Sequence, residues 1–377
     1  MCKQLLFAAA AAAAITQRPK MSPIRRNLKL SCKEKFLLAT MTAFQAILLV
    51  HFLLKAIVRR KWNAATLQNE INLLGACVST LAFIKNYVPI RNGFEEVRQM
   101  DKLFQLIRPD VKHRDKLSYT EVRTWYHSSL YILILISYWS LHCEERFCGS
   151  GKARTLPNLF RLCVYKLLVI SEFTFVLYWF VDFTLVLKRR LKLLNQMIGS
   201  RLSDATQRAT LYRTVHIADH DVSSVLVAYT KLYDIQRRSL LCFRIPILVF
   251  YSDNVYSLTF VILTSYNQYF YKGSCTGLYP SMWEFLFRSA ICYGVILACV
   301  LCCREADQIS VNMQRCTSIG SNVKFFLLEL RDRKFKFEIF RLFSLDFDTF
   351  LSMMGFISTY IVILIQFKTN TKQDNRK

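Results

Sequence analysis

The sequence predicts an all-α membrane protein with seven transmembrane helices and cytoplasmic helical extensions, inserted with the amino terminus inside and the carboxyl terminus outside. Three observations predict it. Apolar residues make up 53% of the 377 and aromatic residues 14%, and they gather in runs of about twenty, the length that crosses a hydrocarbon layer about 30 Å thick. Lys and Arg fall between these runs and not on one basic domain, so the net charge of +25 sets orientation and does not point to nucleic acid. Assigning loops alternately to the two sides puts about 34 Lys and Arg on the amino-terminal side and about 12 on the other, which makes the amino-terminal side cytoplasmic.

Residues 1–35 form a basic tail. Met1 to Ile15, with Lys3 and the alanines Ala8 to Ala14, imitates a secretory signal peptide. Cleavage would place Arg18, Lys20, Arg25, Arg26, Lys29, Lys33 and Lys35 outside, against the overall bias of the later loops, so the segment reads as a retained low-complexity tail or the product of an early start codon.

Span one runs from Phe36 to about Val58 and holds Gln45 and His51. Arg59, Arg60 and Lys61 follow in a short outer loop, the local exception to the charge rule. Span two covers about Asn69 to Val88. From Arg91 to Arg123, Phe94, Val97, Leu103, Phe104 and Ile107 recur at near-helical spacing among charges, so spans two and three should continue into the cytoplasm as amphipathic helices. Span three, about Trp125 to His142, ends in the aromatic pair Tyr138 and Trp139, suited to an interface and equally to a ligand pocket.

An outer loop from Cys143 to Arg161 leads to span four, about Leu162 to Leu187. Its Glu172 and Asp182 need a partner or water inside a bilayer. Ten residues apart, they stand about 15 Å from each other along a helix, too far to share one proton-transfer step. The segment Lys188 to Leu240 reads as helical extensions of spans four and five. His216 and His220 have the i, i+4 spacing of a metal pair, but no third ligand accompanies them, and no metal site or cofactor is expected.

Span five, about Leu241 to Tyr266, contains Arg244, Pro246 and Asp253. The proline removes a backbone donor, and the carbonyl it frees needs another. Asp253 has Tyr251 and Tyr256 nearby and a partner in Arg288, which enters span six from its outer end. Span six, about Met282 to Cys303, carries Trp283, Phe285, Phe287, Arg288 and Tyr293. Its terminal Cys302 and Cys303 suit palmitoylation, with buried small residues the favoured reading. Of the 13 cysteines, Cys143, Cys148 and Cys275 are the three expected outside, and one disulfide among them leaves three pairings open.

The stretch Arg304 to Arg341 mixes Lys and Arg with Phe325, Phe326, Phe335, Phe337 and Phe340, more aromatics than a solvated linker uses. Span seven, Leu345 to Phe367, covers roughly 34 Å as a helix. Asp346 and Asp348 stand at its start and Gln366 near its far end. Helical spacing aligns Gly355, Thr359, Val362 and Gln366 on one face, and an amide on that face belongs against protein or water, not lipid.

Thr359, Tyr360, the aliphatic run Ile361 to Ile365, then Gln366 and Phe367, with Leu345 and Asp346 upstream and a short tail after, resemble the carboxy-terminal signature of the insect gustatory receptors. That resemblance implies a plasma-membrane, tastant-gated, non-selective cation channel of chemosensory neurons. It implies a homo- or heterotetramer with other gustatory receptor subunits, four span-seven helices surrounding the pore. Residues 36–303 would then be a ligand-binding bundle, 304–344 a cytoplasmic anchor region, 345–367 the pore-lining span and 368–377 an extracellular tail. Val362 or Ile363 would close the pore by dewetting and Gln366 would ring its outer mouth, with Phe367 beside it. Thr359 and Tyr360 would couple the helix to spans five and six. A small-molecule tastant would enter from outside, toward Tyr138, Trp139, Glu172, Asp253, Tyr256, Phe287, Arg288 and Tyr293.

The alternative is a G-protein-coupled receptor with the opposite orientation. After span three, however, the chain reads Leu141, His142, Cys143, Glu144, Glu145, Arg146 where that class has Asp-Arg-Tyr, and span seven lacks Asn-Pro-x-x-Tyr. A transporter would show repeated halves with interrupted helices, and none is found. No P-loop, dinucleotide-binding or nucleophile signature supports an enzyme.

Overall fold

A computed structural model describes residues 64–107, 174–199, 219–272, 278–314 and 321–374, together with helical, exposed Ala39, Thr42, Ala43, Ala46 and Val50. Span three, the outer loops, Tyr138, Trp139, Glu172, His51, His216 and the three outer cysteines lie outside the described residues. The elements are α1 (Ala64–Ile107), α2 (174–199), α3 (Asp219–Lys272), α4 (Leu278–Gln314), α5 (Ser321–Asp332), β1 (Glu338–Ile339), β2 (Phe343–Ser344) and α6 (Phe347–Asp374).

Each long helix runs past the apolar run that seeded it. Helix α1 continues from span two to Ile107, α2 continues beyond Leu187, α3 begins at Asp219 and α4 ends at Gln314. The predicted extensions of spans two, four and five are, within the described residues, continuous with their helices, and span six also runs on, to Gln314, which was not predicted. Phe83, Ile90, Phe180, Phe183, Leu187, Leu191, Leu194, Leu232, Phe243 and Ile247 are fully buried where these helices pack. Each such side chain contributes about 1.5–3 kcal/mol relative to exposure in water. Trp179 fixes the centre of this packing with ring contacts at 6.0 Å to Phe83, 6.1 Å to Tyr87 and 5.5 Å to Phe94. At Gly93 helices α1 and α3 pack closely: a Cβ there would stand 2.7 Å from Ser239 Oγ.

Pro246 lies inside α3. Its missing N–H would have bonded the carbonyl of Cys242, four residues earlier. Asn86 on α1 supplies the substitute: its Nδ2 donates to Cys242 O at 3.3 Å and to Ala82 O at 2.9 Å.

Between α5 and α6 the backbone is not helical. Residues 338–344 form an antiparallel hairpin, Glu338 facing Ser344 and Ile339 facing Phe343. Its turn is closed by Leu342 N donating to Ile339 O at 2.9 Å, with Phe340 and Arg341 at positive φ of 50° and 59°. Left-handed non-glycine residues cost about 1–2 kcal/mol each, so tertiary contacts must hold the segment. Tyr229 Oη donates to Arg333 O at 3.0 Å, Gln236 Nε2 to Lys336 O at 2.9 Å and Cys303 Sγ to Phe335 O at 3.4 Å. Phe335 meets Tyr229 and Tyr233 edge-on at 5.4 and 5.8 Å, and Phe337 meets Phe180 at 6.1 Å. Of the aromatics in the stretch before span seven, Phe335 and Phe337 are thus buried against α3 and α2. Cys302 is fully buried and Cys303 hydrogen-bonded, as the favoured reading of that pair expects.

Asp346, read from the sequence as the beginning of span seven, stands just outside the helix as its N-cap. Its Oδ1 accepts from Thr349 N at 2.8 Å and its other carboxylate oxygen from Ser344 Oγ. Asp348 then sits in the first turn, where the helix dipole favours a carboxylate.

Candidate pore helix and buried ion-pair cluster

Helix α6 is packed along a single stripe. Met353, Ile357 and Ile361 are buried, with Phe350, Met354 and Ile365 half-buried beside them. Gly355, Thr359, Val362 and Gln366 are all exposed. At about 100° per residue these four lie roughly 150° around the helix from the packed stripe. The face aligned from the sequence is therefore the one that the chain itself leaves uncovered. Ser358 and Thr359 satisfy their hydroxyls within the helix, donating to Met354 O and Gly355 O at 2.9 Å.

Thr359 and Tyr360 are also exposed within the single chain. Tyr360 stacks on Phe356, ring centroids 6.4 Å apart and planes 6° apart. Tyr360 is also within electrostatic reach of Tyr256 on α3, and further contact with the neighbouring helices is made by the buried stripe and by Tyr293 of α4, whose ring lies 5.7 Å from Phe347 and 6.2 Å from Phe350. The side chain of Phe367 lies outside the described residues.

The second feature is the charged cluster between α3 and α4. Arg288 Nη1 meets Asp253 Oδ2 at 2.9 Å, and its Nε meets Glu284 Oε1 at 3.1 Å. All three side chains are at most 13% exposed. Asn254 extends the network, its Oδ1 3.5 Å from Arg288 Nη1 and its Nδ2 donating to Cys292 Sγ at 3.0 Å. A guanidinium with five donors in a rigid fork satisfies two carboxylates in a way that a lysine would not. Removing it would leave two acids with little water in reach.

Of the residues singled out for the ligand, the structure brings Asp253 and Arg288 together. Tyr256 and Phe287 are half-buried on the same two helices, and Tyr293 turns to α6. Sequence reasoning missed Glu284, Asn254 and Cys292. The signal for Glu284 was present, because it stands one helical turn before Arg288.

Two described helices are long and apolar enough to cross a membrane, within Val225–Leu263 and Met282–Gln314, and Phe347–Ile363 is a shorter apolar run. The sequence profile of the 7tm chemosensory receptors matches residues 22–371. The chain belongs to the 7tm chemosensory receptor family. This is a family of membrane receptors and not of enzymes. In fold the receptor is similar to the insect olfactory receptor OR5 from Machilis hrabei in complex with eugenol. The TM-score is 0.60 at 11% identity, over 96% of this chain and 97% of that one. Against OR5 without the ligand in its description the TM-score is 0.53 at 10% identity, over 97% and 99%. No curated protein matches in sequence. At these identities the likeness establishes the fold, an all-α membrane fold, and the pore and ligand roles rest on the geometry above.

Proposed function

We propose that this chemosensory receptor is a gustatory receptor: a tastant-gated, non-selective cation channel of the plasma membrane in chemosensory neurons, working as a homo- or heterotetramer. The observation that carries the reading is the uncovered face of α6. One helix cannot enclose a pore, so the face bearing Gly355, Thr359, Val362 and Gln366 needs copies of itself around an axis. The Gln366 amide, unlike the Thr359 hydroxyl, would carry unmet donors and acceptors into lipid, and a water-filled axis satisfies them.

In this arrangement Val362 lies within the polar stripe while Ile363 lies beside it, so Val362 forms the apolar constriction and Ile363 its flank. Gln366 rings the outer mouth with amide oxygens. Ligand binding among the spans reaches the gate through α4, whose Arg288 is tied to Asp253 and whose Tyr293 touches Phe347 and Phe350. Asp253, Tyr256, Phe287, Arg288 and Tyr293 are the described candidates on that route. The amino terminus is cytoplasmic and the carboxyl terminus extracellular.

A second reading, gating by a volatile odorant, is favoured by the likeness to OR5, whose structure holds eugenol. Whole-cell recording separates the readings. The chain, expressed in cells without other chemoreceptors and with G proteins blocked by GDPβS in the pipette, is exposed to sugars, bitter alkaloids and phenolic odorants. A cation current evoked by a sugar or alkaloid is the expected result. A current evoked by phenols alone favours the odorant reading, and a response abolished by GDPβS contradicts the channel.

A further inference from the structure

The turn Ile339–Leu342 spends left-handed backbone at two non-glycine residues, and what it presents is basic and apolar. Arg341 is exposed and so is Leu342, at 63%. Beneath the turn, the guanidinium of Arg244 lies 5.7 Å from the ring centroid of Phe340, a cation–π contact. Arg244 Nε has no hydrogen-bond partner among the described residues. Arg237, two helical turns before Arg244 on α3, and Arg341 are both within electrostatic reach of it. The opposing charge there is Glu338, which Lys336 already engages at 3.7 Å.

The depth of this cluster follows from its neighbours. Phe343 of the hairpin meets Tyr251 of α3 at 5.5 Å, and α6 starts its apolar run four residues later at Phe347. Arg244 is seven residues before Tyr251, about 10 Å along the helix, and the headgroup layer on each side of the hydrocarbon is about 5–8 Å thick. Guanidinium groups reach several ångströms further by extending their stems. Arg244, Arg341 and the exposed Leu342 therefore stand at headgroup level at the end of the span.

We propose that the hairpin turn and Arg244 form a binding site for the phosphate of an anionic lipid headgroup, with Leu342 seated in the adjoining acyl boundary. Charge complementarity selects this occupant. Arg forks bind phosphate oxygens in pairs, and among the described residues the acid within reach of Arg244, Glu338, is shared with Lys336. Because the hairpin leads directly into α6, the bound lipid holds the amino-terminal end of the proposed pore helix. The site rests on the membrane placement of Phe347–Ile363 and not on which way the chain is inserted.

Native mass spectrometry of the full chain in detergent tests it, with phosphatidylserine, phosphatidylcholine and the soluble glycerophosphoserine as probes. Binding to the lipid does not depend on orientation, so failure here and failure of the topology are separate results. Phosphatidylserine adducts should exceed phosphatidylcholine adducts at equal concentration. Arg341→Asn and Arg244→Gln should each weaken the anionic adduct about fivefold, while Arg98→Gln on the α1 extension leaves it unchanged. Arg341 is exposed and asparagine tolerates left-handed backbone, so Arg341→Asn tests the site even if Arg244→Gln fails to fold. Equal binding of the two lipids, or an unchanged adduct in Arg341→Asn, overturns the proposal. Competition by glycerophosphoserine as effective as by the lipid would make the ligand a soluble phosphate. Lost subunit stoichiometry in Arg341→Asn would make the turn a contact between copies. Either outcome also overturns it.

Discussion

Arg288 on α4 and Asp253 on α3 form a 2.9 Å ion pair across two helices, each side chain no more than 12% exposed. The pair closes with Glu284, so its balance is one cation to two acids. Arg288→Ala would take the guanidinium from both acids at once, whereas Asp253→Ala leaves Arg288 its bond to Glu284. Breaking a buried pair from one side costs about 3–5 kcal/mol. The melting temperature of the purified receptor should therefore fall more for Arg288→Ala than for Asp253→Ala. The double variant Asp253→Asn with Arg288→Gln should recover part of the loss.

Asn86 and Pro246 make a second coupled pair, through the carbonyl of Cys242. Asn86→Leu leaves that buried acceptor without its donor, at a cost of about 1–3 kcal/mol. Pro246→Ala restores the backbone N–H. A double-mutant cycle on thermal stability should show that Asn86→Leu is milder when position 246 is alanine, by an interaction of about 0.5–3 kcal/mol. Strict additivity would contradict the assignment.

Substitutions on α6 should separate by face. Val362→Ser wets the proposed constriction and should raise current without ligand by about tenfold, Ile363→Ser by less, since a hydrophobic gate closes by excluding water. Gln366→Ala should change relative permeabilities while leaving the ligand dose–response midpoint in place. Ile357→Ser falls on the packed stripe and should lower surface expression instead.

The difference between what was legible in the sequence and what was not follows the physics of each element. Runs of twenty apolar residues, and apolar residues at near-helical spacing among the charges beyond them, marked where helices lie and that they continue past the apolar runs, because burial and period both demand it. The partner of Asp253 was legible because a lone carboxylate in a span requires a cation, and Arg288 was the cation on the next span. The hairpin at 338–344 was not. Its turn is Phe340-Arg341, with none of the Gly or Asn that marks a left-handed turn, and contacts from Tyr229, Gln236 and Cys303 hold the adjoining segment in place. The helix begins at Phe347, two residues after the Leu345 at which the span was read to start, for a related reason: hydropathy averages over a helix end, and only the N-cap bond from Thr349 to Asp346 marks it. That α6 contacts the other helices through Met353, Ile357 and Ile361 was also hidden, since the face bearing Thr359 and Gln366 suits contact with protein as well as with water.

The channel reading stands on orientation, because only a carboxyl terminus outside the cell puts Gln366 at an outer mouth and the hairpin on the cytoplasmic side of the membrane. An epitope placed after Lys377 and probed with antibody on intact cells measures it directly. Labelling without permeabilisation is the predicted result. Labelling that appears only after permeabilisation would contradict the account and restore the G-protein-coupled alternative.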